Sequence, residues 1–213
     1  MMFLSREDAG RKLAHALLEQ QLQADLVLGL PRGGVVVAAE VARLLHLPLD
    51  VIIVRKIGHP RHREFAVGAL AEGEVVVLDQ RAIEATHVVD RELNAIIAEE
   101  KQRLQEYQLK FERNTSPQLT GKRVIIADDG LATGATTEAA VLFAKQRAAA
   151  KVLVAVPVAS DTAVNRIRRV ADQVISLLVD PAFDAVGRYY EHFSQTTDEE
   201  VLELLKKGRQ PQP

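Results

Sequence analysis

A doubly wound α/β fold on a mainly parallel sheet is the architecture this sequence predicts, from three observations. Short apolar runs without polar alternation, at 25–30, 49–54, 123–128, 152–156 and 173–178, suit strands covered on both faces. Segments of helical length and spacing separate them. The unusual polar motifs fall just after strands, on the rim where open parallel sheets bind their ligands.

Taken in order, Ser5, Arg6, Glu7 and Asp8 read as a helix start, with Ala9, Leu13, Ala16 and Leu17 recurring behind them at helical spacing. Strand 25–30 leads into an apolar helix over 34–45, although Val35, Val36 and Val37 oppose it. A second buried strand spans 49–54. The polar, basic stretch 57–74 contains Gly58, Pro60, Gly68 and Gly73 and reads as a long loop, with a small hairpin ending in 75–78. Residues 90–113, rich in Glu, Gln, Lys, Arg and Leu, predict a long exposed helix, broken at 114–117. Then come strand 123–128, helix 135–147, strand 152–156, a helix near 162–170 and strand 173–178. The stretch 180–207 reads as a turn, an aromatic cluster and a helix.

The 213 residues suffice for one sizeable α/β domain, and 47% hydrophobic content supplies a core. With 27 basic and 29 acidic residues the net charge is -2, so no global basic field draws in nucleic acid or a membrane surface. The absence of cysteine excludes disulfides, thiolate catalysis and Cys-based zinc sites. The first residues do not look like a secretory signal, and no apolar run approaches the roughly 20 residues that span a bilayer. The expected compartment is the cytoplasm. The polar, Pro-containing tail 206–213 is expected to fray.

The richest stretch is 124–137. An apolar strand ends in Asp128 and Asp129, a short Gly/Thr loop follows, and a helix begins. Backbone N–H groups and the dipole at a helix start favour a bound phosphate. Thr133, Thr136 and Thr137 offer hydroxyls to it, and Gly134 lets the backbone come close. The two acids would repel phosphate, so they face sugar hydroxyls or a metal. The plain alternative is an ordinary strand-to-helix turn with Asp as the cap. Pro31, Arg32, Gly33 and Gly34 form a second candidate anion turn, whose plain reading is a solvated Arg in a strand-to-helix connection. Arg55 and Lys56 follow the second strand. His59, Arg61, His62 and Arg63 form a basic segment, read either as an anion-closing loop or as a solvated one. Phe183, Tyr189, Tyr190 and Phe193 make a dense aromatic cluster in a chain with 4% aromatics, read as a stacking surface or as a small core.

Two acids, a short spacer and Thr-Gly-x-Thr resemble the phosphoribosyl-pyrophosphate (PRPP) signature of type I phosphoribosyltransferases. The resemblance extends over nearly the whole chain, through Leu30-Pro-Arg-Gly-Gly34 and a closing Val-Gly-x-x-Tyr-Glu-x-Phe-Ser-Gln-Thr pattern at 186–196, and is closest to stand-alone bacterial-type members. It implies a single domain over 1–213. The core would span about 22–179, a C-terminal hood about 180–207 with the N-terminal helix, a flexible loop about 57–74, and a long helix would be inserted. It implies that Asp128 and Asp129 hold the ribose hydroxyls and face Mg²⁺, and that Ala132, Thr133, Gly134, Ala135, Thr136 and Thr137 hold the 5′-phosphate. Arg32, Gly33 and Gly34 match the pyrophosphate loop, which often carries a cis non-proline peptide, here expected near Arg32. Lys56 stands where a basic residue commonly meets the diphosphate. Asp128, Asp129, Arg32 and Lys56 would then carry catalysis, with Phe183 and Val186 at the acceptor. Two departures bear on the acceptor: the step from Phe183 to Val186 is one residue longer than in purine-type members, and Ala132 replaces the Asp usual in 6-oxopurine enzymes. The implied reaction is transfer of phosphoribose from PRPP to a nitrogen acceptor such as a nucleobase, by a homodimer. A PRPP- or nucleotide-binding regulator with the same fold is the alternative. A Rossmann-type reading fails because no Gly-x-Gly-x-x-Gly follows the first strand.

Overall fold

The computed structural model describes residues 2–111 and 116–208. The chain runs α1 (Arg6–Glu19), β1 (Leu26–Gly29), α2 (Gly33–Leu44), β2 (Leu49–Val51), β3 (Val54–His59), β4 (His62–Ala71), β5 (Val75–Leu78), α3 (Gln80–Thr86), α4 (Asp90–Lys110), β6 (Arg123–Ala127), α5 (Ala135–Gln146), β7 (Lys151–Ser160), α6 (Asp161–Ile167), β8 (Gln173–Asp180) and α7 (Asp198–Gly208). Helix starts follow the capping chemistry. The Ser5, Asp79 and Ser160 side chains accept from backbone N–H groups in the first turns of α1, α3 and α6.

Five strands form a parallel sheet in the order β2-β1-β6-β7-β8. Side chains alternate across it. Val27, Ile125 and Leu153 share a core with Leu13 and Leu17 of α1, Val37 and Val41 of α2, and Val201 and Leu205 of α7. Leu28, Ile126 and Val154 face the other way, onto Ala140 and Phe143 of α5 and Ile167 of α6. Both faces are covered, which is why the strand sequences read as unbroken apolar runs. From β1 the chain winds outward to β2, and from β6 it winds the opposite way to β7 and β8. The strand order therefore reverses between β1 and β6, which opens a crevice at their carboxyl ends.

A second, antiparallel sheet of order β3-β4-β5 packs beside α5. Ala69, Ala71 and Val77 meet the α5 side, where Phe143 lies, and Ile57, Val67 and Leu70 meet Leu93, Ile96 and Leu104 of α4.

Here the structure departs from the sequence expectations. The apolar run 49–54 is not one strand. β2 ends at Val51, and the chain changes sheets through buried Ile52 and Ile53, whose N–H groups donate to Gly29 O at 3.2 Å and Glu72 Oε1 at 2.8 Å. Most of 57–74, expected as a loop, is regular strand. Its polar side chains reach α4, as in the Arg63–Glu99 pair at 2.6 Å, so exposed charge did not mean irregular backbone. α3 was not expected. β7 runs to Ser160, beyond 156, because Ala159 and Ser160 still pair with β8. The expected break after α4 falls partly on 112–115, and the tail's last five positions on 209–213, both outside the described residues. No helix among the described residues is long and apolar enough to cross a membrane.

Candidate functional site

The crevice between β1 and β6 is built from two connections. After β1 come Leu30, Pro31 and Arg32, and the Pro31–Arg32 peptide is cis, at the expected place. α2 then opens at Gly33. After β6 come Asp128 and Asp129, and the Asp129 N–H donates to Asp128 Oδ1 at 2.9 Å. The two glycines let these connections touch. A Cβ on Gly33 would sit 2.1 Å from Asp129 Oδ2, and one on Gly34 2.6 Å from Asp128 Oδ1. Any larger residue would push the α2 start away from the acids.

Both carboxyl groups are perturbed. Burial, then the adjacent Asp129 carboxylate, pushes Asp128 well above the usual carboxylate range. Burial also raises Asp129, against the pull of a guanidinium. That guanidinium belongs to Arg6, which the sequence reading did not single out. Arg6 Nε donates to Asp129 Oδ2 at 2.7 Å, Nη1 donates to the Ser194 carbonyl at 2.7 Å, and the group lies 3.8 Å over the Phe193 ring. The Tyr190 hydroxyl donates to the Asp129 carbonyl. A signal was available: Arg6 stands three residues before Ala9 and seven before Leu13, on the apolar face of α1, where a charge needs a partner.

Beyond the acids the chain crosses to β7. The Leu131 N–H donates to Val158 O at 2.9 Å, and the Ser160 hydroxyl to the Ala132 carbonyl at 2.6 Å. Gly134 takes φ 74°, the left-handed region that glycine enters freely, and turns the chain into α5. Gly134 supplies no capping side chain, and apart from a long bond from the Ala135 N–H to the Thr133 hydroxyl at 3.5 Å the first N–H groups of this helix are presented at the loop. Ala132 and Thr133 are exposed and Thr136 is half-buried, while Gly134 and Ala135 are buried. Thr137 is fully buried and its hydroxyl has no partner among the described residues, so only its backbone is available at the loop surface.

Arg32 is part exposed, with Nη1 3.9 Å from Asp198 Oδ1 at the start of α7. Lys110 holds the other Asp198 oxygen at 3.1 Å. Lys56 does not follow a strand of the parallel sheet but lies within β3. Its register partner is Ala69, which places it on the face toward α5. Arg55 is paired with Leu70 on the opposite face and bonds Glu100 of α4 at 3.0 Å. Val186 covers Gly130, where a Cβ would lie 2.8 Å from its Cγ1, so it adjoins the acids. Phe183 stacks on Tyr189 with ring centroids 5.3 Å apart. The Tyr189 hydroxyl donates to Asp180 at 2.7 Å, and that bond pushes the phenol up to about 12. The Tyr pair thus serves packing and tethering: Tyr190 is buried against Phe3. Among the described residues no cluster of three or more His, Asp or Glu could hold a metal on its own.

The family model described as the phosphoribosyl transferase domain matches residues 4–191. TT1426 from Thermus thermophilus, a crystal structure, superposes with a TM-score of 0.81 at 43% identity, covering 98% of this chain and 99% of that one. Two Mycobacterium tuberculosis proteins, each named "putative phosphoribosyl transferase", are 43% identical over 208 residues, 97% of this chain. The chain spans about half the length of these curated relatives, 47% in each case.

Proposed function

The chain belongs to the phosphoribosyl transferase family and has the fold of its type I members, and from that premise we propose that it transfers the 5-phosphoribosyl group of PRPP to a nitrogen acceptor. The observation that supports this reading best is the packing at the β1–β6 crevice. Two half-buried acids stand between a glycine-rich cationic turn that packs against them and the loop that leads into the start of α5.

In the reaction, a nitrogen–carbon bond forms at the anomeric carbon as the carbon–oxygen bond to pyrophosphate breaks, and pyrophosphate leaves with the electron pair. Positive charge grows on the ribose ring and negative charge on the leaving group. Asp128 and Asp129 hold the ribose hydroxyls and face the positive ring. Arg32, the Gly33 and Gly34 backbone and Lys56 meet the diphosphate. The loop from Ala132 to Thr137 holds the 5′-phosphate through the first N–H groups of α5 and the Thr133 and Thr136 hydroxyls. Val186 and Phe183 border the acceptor, for which a nucleobase is our reading. Ala132, without a carboxylate toward the base, disfavours a 6-oxopurine.

Mg²⁺ fits this donor set. It keeps several waters and takes one or two carboxylates plus substrate phosphates rather than a full protein cage, and two adjacent half-buried acids, without a metal-binding cluster of three among the described residues, match that habit. Asp128 and Asp129 would face it, and when bound with the diphosphate it neutralises charge on the leaving group.

Pyrophosphate release from PRPP with Mg²⁺ across a panel of nucleobases and related heterocycles tests the proposal, with PRPP binding followed by calorimetry. Release with one acceptor supports it. Tight binding without release over the full panel favours a regulator, and no PRPP binding overturns the site.

A further inference from the structure

We propose that Arg6 is a positioning residue that sets the Asp129 carboxylate to receive a vicinal diol, making the packed hood a condition of sugar binding; this rests on the PRPP reading above. Three anchors from distant parts of the chain hold the guanidinium. Nε bonds Asp129 Oδ2 at 2.7 Å, Nη1 bonds the Ser194 carbonyl at 2.7 Å, and the plane rests 3.8 Å above Phe193. Arg6 itself is 9% exposed, so this is an enclosed contact rather than a surface ion pair.

The bonds around the acids are selective. Asp129 Oδ2 is committed to Arg6, the Asp129 carbonyl to Tyr190, and Asp128 Oδ1 to the Asp129 N–H. Asp129 Oδ1 and Asp128 Oδ2 stay outside these bonds, one acceptor on each of two adjacent acids. A vicinal diol needs such a pair. Gly33 completes the enclosure, since a Cβ there would also come 2.6 Å from Arg6 Nε. A lysine keeps the charge but cannot bridge both acceptors while lying flat on a ring, so Arg6→Lys is not a conservative change here.

The test measures binding by calorimetry to ribose 5-phosphate, 2-deoxyribose 5-phosphate and magnesium pyrophosphate for the wild type, Arg6→Lys, Arg6→Gln and Tyr190→Phe. The expected result is that both Arg6 variants lose about tenfold or more in affinity for ribose 5-phosphate, as for loss of a charge-assisted bond. The preference for ribose over deoxyribose should collapse, while pyrophosphate affinity stays unchanged. Tyr190→Phe, which keeps the ring packed on Phe3 and Phe193 and removes only the hydroxyl, should shift the preference the same way by a smaller factor. An unchanged ribose-to-deoxyribose ratio, or equal weakening of all three ligands, overturns the role. If the Arg6 variants lack a native near-ultraviolet circular dichroism spectrum, Tyr190→Phe decides alone, and an unshifted ratio sinks the proposal. A wild type that binds neither sugar phosphate overturns the PRPP reading itself, an outcome distinct from failure of the Arg6 variants alone.

Discussion

In the proposed reaction Asp128 and Asp129 carry opposed demands, because the burial that would suit them to a cationic transition state makes them costly in the empty fold. Replacing Asp129 with Asn should lower turnover by about 10²-fold, as for loss of one electrostatic contact to developing charge, measured as pyrophosphate release. The same chemistry predicts a gain in stability at the neighbouring position. Asp128 titrates above its ordinary range in the folded state, so its contribution is full below that range and is lost as pH rises through the raised value. Asp128→Asn still accepts the Asp129 N–H bond and removes the charge. Its melting temperature should exceed the wild type's by about 3 °C or more near pH 8, and the curves should converge near pH 4. A gap that widens toward acid would contradict the assignment. At this scale the motif was legible wherever chemistry is written in consecutive residues, as in the acid pair and the Gly134 loop. It was not legible where the partner lies far along the chain, as for Arg6, or where helix rotation decides, as for the inward turn of Thr137.

Among elements, the parallel strands could be read from the sequence because each is apolar on both faces. The β3–β4 pair could not, since it carries Arg55, Lys56 and Arg63 on strands that composition alone makes resemble a loop. The partners that make strands of this segment sit on α4. Nothing local to the run 49–54 marks where the chain leaves one sheet for the other. That junction depends on Glu72, which is fully buried and accepts from Ile53 N at 2.8 Å, Ser116 Oγ at 2.8 Å and Gln108 Nε2 at 3.2 Å. Glu72→Ala strands the Ile53 N–H and should cost about 2 kcal/mol, seen as a lower urea midpoint. A midpoint within error of the wild type would show that the junction holds without it.

Across the molecule, the N-terminal residues and the stretch 189–192 pair with each other. Phe3 N donates to Tyr189 O and Glu191 N donates to Phe3 O, both at 2.8 Å, while His192 N donates to Leu4 O at 3.0 Å. Phe3 is fully buried against Tyr190. Phe3→Ala opens a cavity under this pairing, and the Glu191 and His192 amides should exchange with deuterium about tenfold faster or more, with β6 and β7 amides unchanged. Uniform acceleration would mean that the hood is not a separate unit. The bond from Arg6 to the Ser194 carbonyl spans 188 positions, which also orders events in time. On the ribosome, α1 and the acids that follow β6 emerge long before Phe193 and Ser194. The nascent chain can therefore shape the loop between β6 and α5 while Arg6 still lacks two of its three anchors. Closure of this long-range contact has to wait until Phe193 and Ser194 have left the exit tunnel.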